Sequence, residues 1–409
     1  MEKTVAALYA ATRYDSASAI SFPQQRTEFA SSGLQYTQEL DQKRIIYQVL
    51  KKVSEVPGGT YYTARTREPT EAIPAKTGGL MSNCMIKVFA SLKGEEKTHE
   101  MILTRAQREL NMTLFISKVS KEERRDDPCF DGGLACADSL FVDHENIVLV
   151  FPKFANVMSL NSFIKKVVRE AWLVAETDEQ KNFIKVECLK IALKIAHIAN
   201  RMNTFGIFHG DIQPRNILLS LRRNVKGTKE VSRFFYNKLI RSEDQESPGT
   251  IDDVVDVRII NLQSACLQSS QEHFAEVFSI EGLTDLLCDI KSAHYVGRGV
   301  YRDPFIDGEM AELVASKKFK QYSEAERIVV IKKFWTRAEI YALATTLFVL
   351  FDDVQVDAAS VNFDSKTTRA QHGIEGVFRH MHNKKNELRP EYGAILVELE
   401  TLQTTIENM

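Results

Sequence analysis

The chain is short of every feature that marks a specialised surface or compartment. No apolar run reaches the ~18–20 residues that a membrane-spanning helix needs, so no segment reads as a span. The six cysteines (Cys84, Cys129, Cys136, Cys188, Cys266 and Cys288) include no C-x-x-C pair. That excludes a zinc ribbon and a thioredoxin-like motif. Neither sign of charge is in excess: 53 Lys and Arg stand against 55 Asp and Glu, a net charge of -2. A polybasic nucleic-acid surface and an acidic disordered tail are therefore not indicated. His372, His380 and His382 have no acidic or cysteine cluster beside them in sequence, and no metal site is assigned to them. What is present is ordinary for a core-bearing protein, 44% hydrophobic and 26% charged. At roughly 100–200 residues per domain, its 409 residues suggest two to four compact units.

Residues 1–43 are rich in Ala, Ser, Thr and Gln and read as an N-terminal extension. Glu2 and Arg13 bracket its mildly apolar stretch, which makes a poor secretory leader. Residues 44–64 read as two strands around a Pro-Gly-Gly turn, and CMIKVFA reads as a strand carrying Lys87. Ile102, Ala106, Leu110 and Leu114 recur every four residues, so the spacing predicts a helix over 94–117. Two strand-like runs, LFV and NIVLVF, precede a densely apolar helix over about 179–204. After the strand DVRIINL, helices are expected over 311–316, 323–350 and 391–406. Strands thus dominate the first part and helices the rest, the pattern of an α+β protein of two lobes.

The string HGDIQPRNILL at 209–219, followed by VRIINL, carries the strongest chemical signal. A His-x-Asp turn follows a buried helix, Asn216 comes five residues after Asp211, and an apolar strand begins. This resembles the catalytic loop of protein kinases, H-R-D-L-x-x-x-N. The resemblance implies a bilobal kinase-like fold with a small β-rich lobe over 44–154, a helical lobe over 155–409 and an insert at 222–256. It also implies roles. Asp211 would orient the attacking hydroxyl, and Asn216 with Asn261 would hold Mg2+. Lys87 would neutralise the phosphates of ATP, Glu109 would pair with Lys87, and the backbone of Phe151 and Phe154 would face the adenine. GRGVYRDP and EIYALATTLFVLF resemble the end of the activation segment and the central helix of the large lobe. The Arg389-Pro390 pair resembles the family's terminal R-P helix start. The FPKFA string and the H-G-D loop are similar to the divergent rhoptry and dense-granule kinases of apicomplexan parasites. The H-G-D form also occurs in small-molecule phosphotransferases, which lack the G-x-x-x-Y-x-x-P element.

The departures from that pattern set the expected function. Ser54, Val56 and Gly59 stand at the three glycine positions of the phosphate-cradling loop, so only the last survives. Asn261-Leu262-Gln263 replaces D-F-G, which removes the main Mg2+ carboxylate. Gly210 replaces the arginine of H-R-D, and Glu339 and Ala344 replace an aspartate and a glycine of the central helix. Phe305 stands where A-P-E carries its glutamate, so Arg389 is expected to lack its usual partner. These changes predict a pseudokinase that binds ATP and Mg2+ weakly or not at all and acts as a scaffold or allosteric partner of another protein. A divergent active Ser/Thr kinase and a small-molecule phosphotransferase are the alternatives. The insert separates seven basic from six acidic residues, and its Phe234-Phe235-Tyr236 run suits a protein partner. Cys129 and Cys136 read as reduced thiols, with a small disulfide loop as the alternative. The cytoplasm is the expected location, secretion the alternative if the N-terminus is processed.

Overall fold

The computed structural model describes residues 28–30, 46–56, 58–67, 83–89, 99–122, 133–137, 139–143, 146–152, 157–221, 255–267, 299–352, 373–383 and 388–408. Phe154, Cys129, most of the 222–256 insert and nearly all of the N-terminal extension lie outside them. The architecture is mixed α and β, with antiparallel strands first and a helical majority after them.

Six strands form one antiparallel sheet in the order β1-β2-β3-β4-β6-β5. They are β1 (Glu28–Ala30), β2 (Ile46–Val56), β3 (Gly59–Arg67), β4 (Asn83–Phe89), β5 (Ser139–Asp143) and β6 (Asn146–Pro152). Successive side chains on a strand point to opposite faces, and the burial follows that rule. Met85 and Phe89 of β4 join Tyr61, Leu149 and Phe151 on one face, where Ala106 and Leu110 of helix α1 (His99–Glu122) cover them. Cys84 and Ile86 join Tyr47, Phe141, Val148 and Val150 on the other. Lys87 shares the parity of Met85 and Phe89, so its cationic side chain is driven under α1. Helix α1 begins and ends about five residues later than the apolar spacing suggests.

The helical part is built on α3 (Asp178–Thr204), which begins with a Thr177–Gln180 capping box and two acidic residues in its first turn. Ile184, Leu189, Ile191 and Ile195 of α3 are fully buried, each contributing about 1.5–3 kcal/mol relative to exposure. Helix α3 packs against α8 (Tyr392–Glu407) and α6 (Glu324–Asp352). Three further helices are α4 (Ile306–Ala315), α5 (Lys317–Gln321) and α7 (Gly373–Met381). Among the described residues one stretch, Glu324–Phe351 of α6, is long and apolar enough to cross a membrane, and 72% of its apolar window is buried inside the protein.

Helices α5 and α7 were not foreseen, and neither was a helix between β6 and α3. Helix α2 runs as α-helix over Leu160–Phe163, as π-helix over Ile164–Val168 and as α-helix again over Arg169–Val174. Its buried residues fall in two columns of strict four-residue spacing, Leu160-Ile164-Val168 and Phe163-Val167-Ala171. On a straight 3.6-residue helix such columns drift by about 40° per turn. The wider π turn lowers that drift and keeps both columns on the core.

Candidate functional site

Two loops carry the residues singled out by their spacing, and strand pairing clamps both at each end. Residues 209–216 run from β8 (Ile207–Phe208) to β9 (Ile217–Leu221), which also pairs with β7 (Val157–Ser159). Residues 260–265 run from β10 (Val255–Ile259) to β11 (Cys266–Leu267). The β9–β10 register sets Ile217 opposite Ile259, and the β8–β11 register sets Phe208 opposite Cys266. The two loops are therefore held side by side, and the amide of Ile260 donates to the carbonyl of Asn216 at 2.9 Å.

The first loop folds around His209 and Gly210. The His209 Nδ1 accepts from the Asp211 amide at 3.1 Å, while Nε2 lies 2.9 Å from the carbonyl of Ile260. That pairing assigns the proton to Nε2, and burial lowers the ring's pKa, so the imidazole is neutral. Gly210 adopts φ +74°, and a Cβ there would stand 2.6 Å from the carbonyl oxygen of Ser264. Only glycine fits that approach. Glu339 of α6 accepts from the amides of both His209 and Gly210. The longer side chain thus still reaches the loop backbone. Burial raises the Glu339 carboxyl to about 7, against the lowering effect of those two amides.

Lys87, Glu109, Asp211, Asn216 and Asn261 converge in one network, none of them more than 1% exposed. Lys87 Nζ lies 2.5 Å from Glu109 Oε2 and 2.7 Å from Asn261 Oδ1. The Tyr61 hydroxyl donates to Glu109 Oε1 at 3.0 Å. Burial, then the Glu109 charge, holds that phenol well above its ordinary pKa, so it remains a donor. Asp211 accepts from Gln213 Nε2 on Oδ1 at 2.8 Å and from Asn216 Nδ2 on Oδ2 at 2.9 Å. Asn261 Nδ2 is a longer neighbour, 3.5 Å from Asp211 Oδ2 and 3.3 Å from Asn216 Oδ1. Asn261 is the one non-glycine at positive φ among the described residues, at φ 71° and ψ 56°. Asparagine tolerates that left-handed conformation better than most residues.

The sheet closes over this network. Ser54 Oγ donates to the carbonyl of Arg215 at 2.7 Å, fastening β2 to the 209–216 loop. Ser54 and Val56 lie within β2, and Gly59 opens β3. A Cβ on Gly59 would stand 2.9 Å from the Val88 carbonyl and 3.1 Å from Lys87 Cε. At Gly58, φ +84°, a Cβ would meet Gln263 Oε1 at 3.5 Å. Gly58 thus lies close to Gln263 of the 260–265 loop.

Phe151 sits at the end of β6 opposite Met85, with its side chain buried against Tyr61. Ser54, Tyr61 and Gln213 contribute bonds that the spacing did not assign. The alternate parity of Tyr61, paired with Lys87 in the β3–β4 register, was the available signal for the second of them.

A general base must reach the proton it abstracts. Asp211 instead has both oxygens accepting from carboxamides inside a closed site. Mg2+ demands octahedral oxygen ligation with carboxylate and phosphate oxygens. Asn261 presents its nitrogen, not its oxygen, to Asp211 and Asn216. Among the described residues no three His, Cys, Asp or Glu side chains gather as a metal site. The side chains in this arrangement do not fit Mg2+.

Arg389 has a substitute for its usual partner: Asp303, two residues before Phe305, takes its guanidinium at 2.5 Å in a fully buried pair. The amide of Phe305 donates to the other Asp303 oxygen at 3.0 Å, which turns that carboxylate inward. Cys136 is a reduced cysteine and closes no small disulfide loop, while Cys129 lies outside the described residues. No family model matches the chain, and no curated protein matches it.

Proposed function

We propose that this chain is a bilobal, protein kinase-like pseudokinase that serves as a scaffold or allosteric partner of another protein. The observation that carries the reading is the Asn261 carboxamide, which stands where the kinase pattern has a metal-binding carboxylate and turns its oxygen to Lys87 and its nitrogen to Asp211, in a site that Ser54 fastens shut. In this reading the order of elements, from sheet to α1 to the clamped loops to the helical part, follows the kinase arrangement. The central positions hold the two parts together instead of holding ATP. An active Ser/Thr kinase would need Lys87, Asp211, Asn216 and Asn261 turned toward a nucleotide. A small-molecule phosphotransferase would need an acceptor pocket beside Asp211, which is 1% exposed.

Cys266, buried in β11, is disulfide-bonded. Disulfides persist in oxidising compartments, and this bond supports the secreted location over the cytoplasmic one.

The test is transfer of radiolabelled γ-phosphate from ATP to a generic protein substrate. Wild type is expected to match the Asp211→Ala background. Robust transfer by wild type that Asp211→Ala abolishes would sink the proposal.

A further inference from the structure

The geometry points to the Asn261 carboxamide as a built-in substitute for a divalent cation, so that the closed site is complete without metal. This inference rests on the pseudokinase reading. Two oxygens face a common point, Asp211 Oδ2 and Asn216 Oδ1, and Asn261 Nδ2 stands 3.5 and 3.3 Å from them. The same side chain turns its oxygen the other way, 2.7 Å from Lys87 Nζ. The amide is therefore polarised along the local field. Its positive end faces the carboxylate loop, and its negative end faces the lysine. A cation at that point would bind such oxygens at about 2.0–2.1 Å. The N–H group neutralises them from a longer distance with a fraction of the charge. The left-handed backbone of Asn261 and the clamping of both loops fix the amide in that orientation.

The chemical alternative at this position is a carboxylate. It would stand within 3.5 Å of Asp211 in a site that is 0–1% exposed, where the single lysine is already paired with Glu109, so three carboxylates would share one cation and repel unless a further cation entered. It would also draw Lys87 away from Glu109. Asparagine and aspartate have the same shape, so the two states differ only in charge and hydrogen bonding.

The experiment is a set of melting curves without nucleotide, with and without millimolar Mn2+. Wild type is expected to melt at the same temperature in both conditions. Asn261→Asp is expected to melt lower by about 5 °C or more at about pH 8 and to recover on adding Mn2+. The double variant Asp211→Asn/Asn261→Asp keeps a single carboxylate and is expected to lose both the penalty and the recovery. Because the double variant relieves the repulsion, it remains informative if Asn261→Asp alone fails to fold. Wild type stabilised by Mn2+ in an Asp211-dependent manner would overturn the inference. So would Asn261→Asp melting like wild type without metal, or a double variant as impaired as the single one. Phosphate transfer by wild type would defeat the pseudokinase reading on its own, since these melts contain no ATP.

Discussion

Replacing Lys87 with methionine is expected to cost about 3–5 kcal/mol of folding stability, read from urea denaturation. The reason is burial. Lys87 and Glu109 are both 0% exposed and 2.5 Å apart, so removing the cation leaves a carboxylate in a dry site. Glu109 would keep the Tyr61 hydroxyl as a donor. Asn261 Oδ1 would lose Lys87 in the same step. The double variant Lys87→Met/Glu109→Leu is expected to recover most of the loss, because two apolar side chains of similar volume carry no desolvation cost. The coupling energy from that cycle separates a structural pair from a nucleotide-facing one. A loss under about 1 kcal/mol for Lys87→Met would mean that the pair is solvated in an open cleft.

The second large effect is expected at Arg389. Its guanidinium binds Asp303 Oδ2 at 2.5 Å, the Arg337 carbonyl at 3.0 Å and, through Nε, the Asn383 carbonyl at 2.9 Å. It also lies 5.1 Å from the centroid of the Tyr341 ring. Three separate stretches of chain thus meet on one side chain. Beside it, His382 is kept neutral, its pKa pushed down to about 4 by burial and then by the Arg389 charge. Arg389→Ala leaves Asp303 buried without its counter-charge and is expected to cost about 3–5 kcal/mol in urea denaturation. Arg389→Lys should recover only part of that, since a single ammonium cannot reproduce the planar fork. A loss below about 1 kcal/mol in Arg389→Ala would show that the pair does not hold these segments.

Much of the fold was legible because its periods are simple. Alternation in CMIKVFA placed Lys87 on a strand, and four-residue spacing placed Glu109 at the border of the inward face of its helix. The structure puts both fully inside. The strict four-residue columns of α2 were not recognised as helical, because a π turn is not an expected part of a helix. At the site, residue types and spacings located Asp211, Asn216 and Asn261, but not the direction of their amides. Which end of Asn261 faces Lys87 depends on a partner 174 positions away. The Ser54 bond likewise spans 161 positions and depends on the closure of the sheet over the loop. Arg389 was expected to lack its usual partner because the glutamate position holds Phe305, and the spacing did not point to Asp303 in its place. The inward turn of Asp303 could be known only from the backbone around Pro304.

Under the pseudokinase proposal, Lys87, Asp211 and Asn261 serve the protein's own network instead of a nucleotide. A calorimetric titration of the full chain with ATP, run with and without Mg2+, tests it most directly. The account predicts a dissociation constant weaker than about 1 mM in both conditions, with no gain from the metal. Micromolar binding that requires Mg2+ and is lost in Asn261→Leu would contradict it.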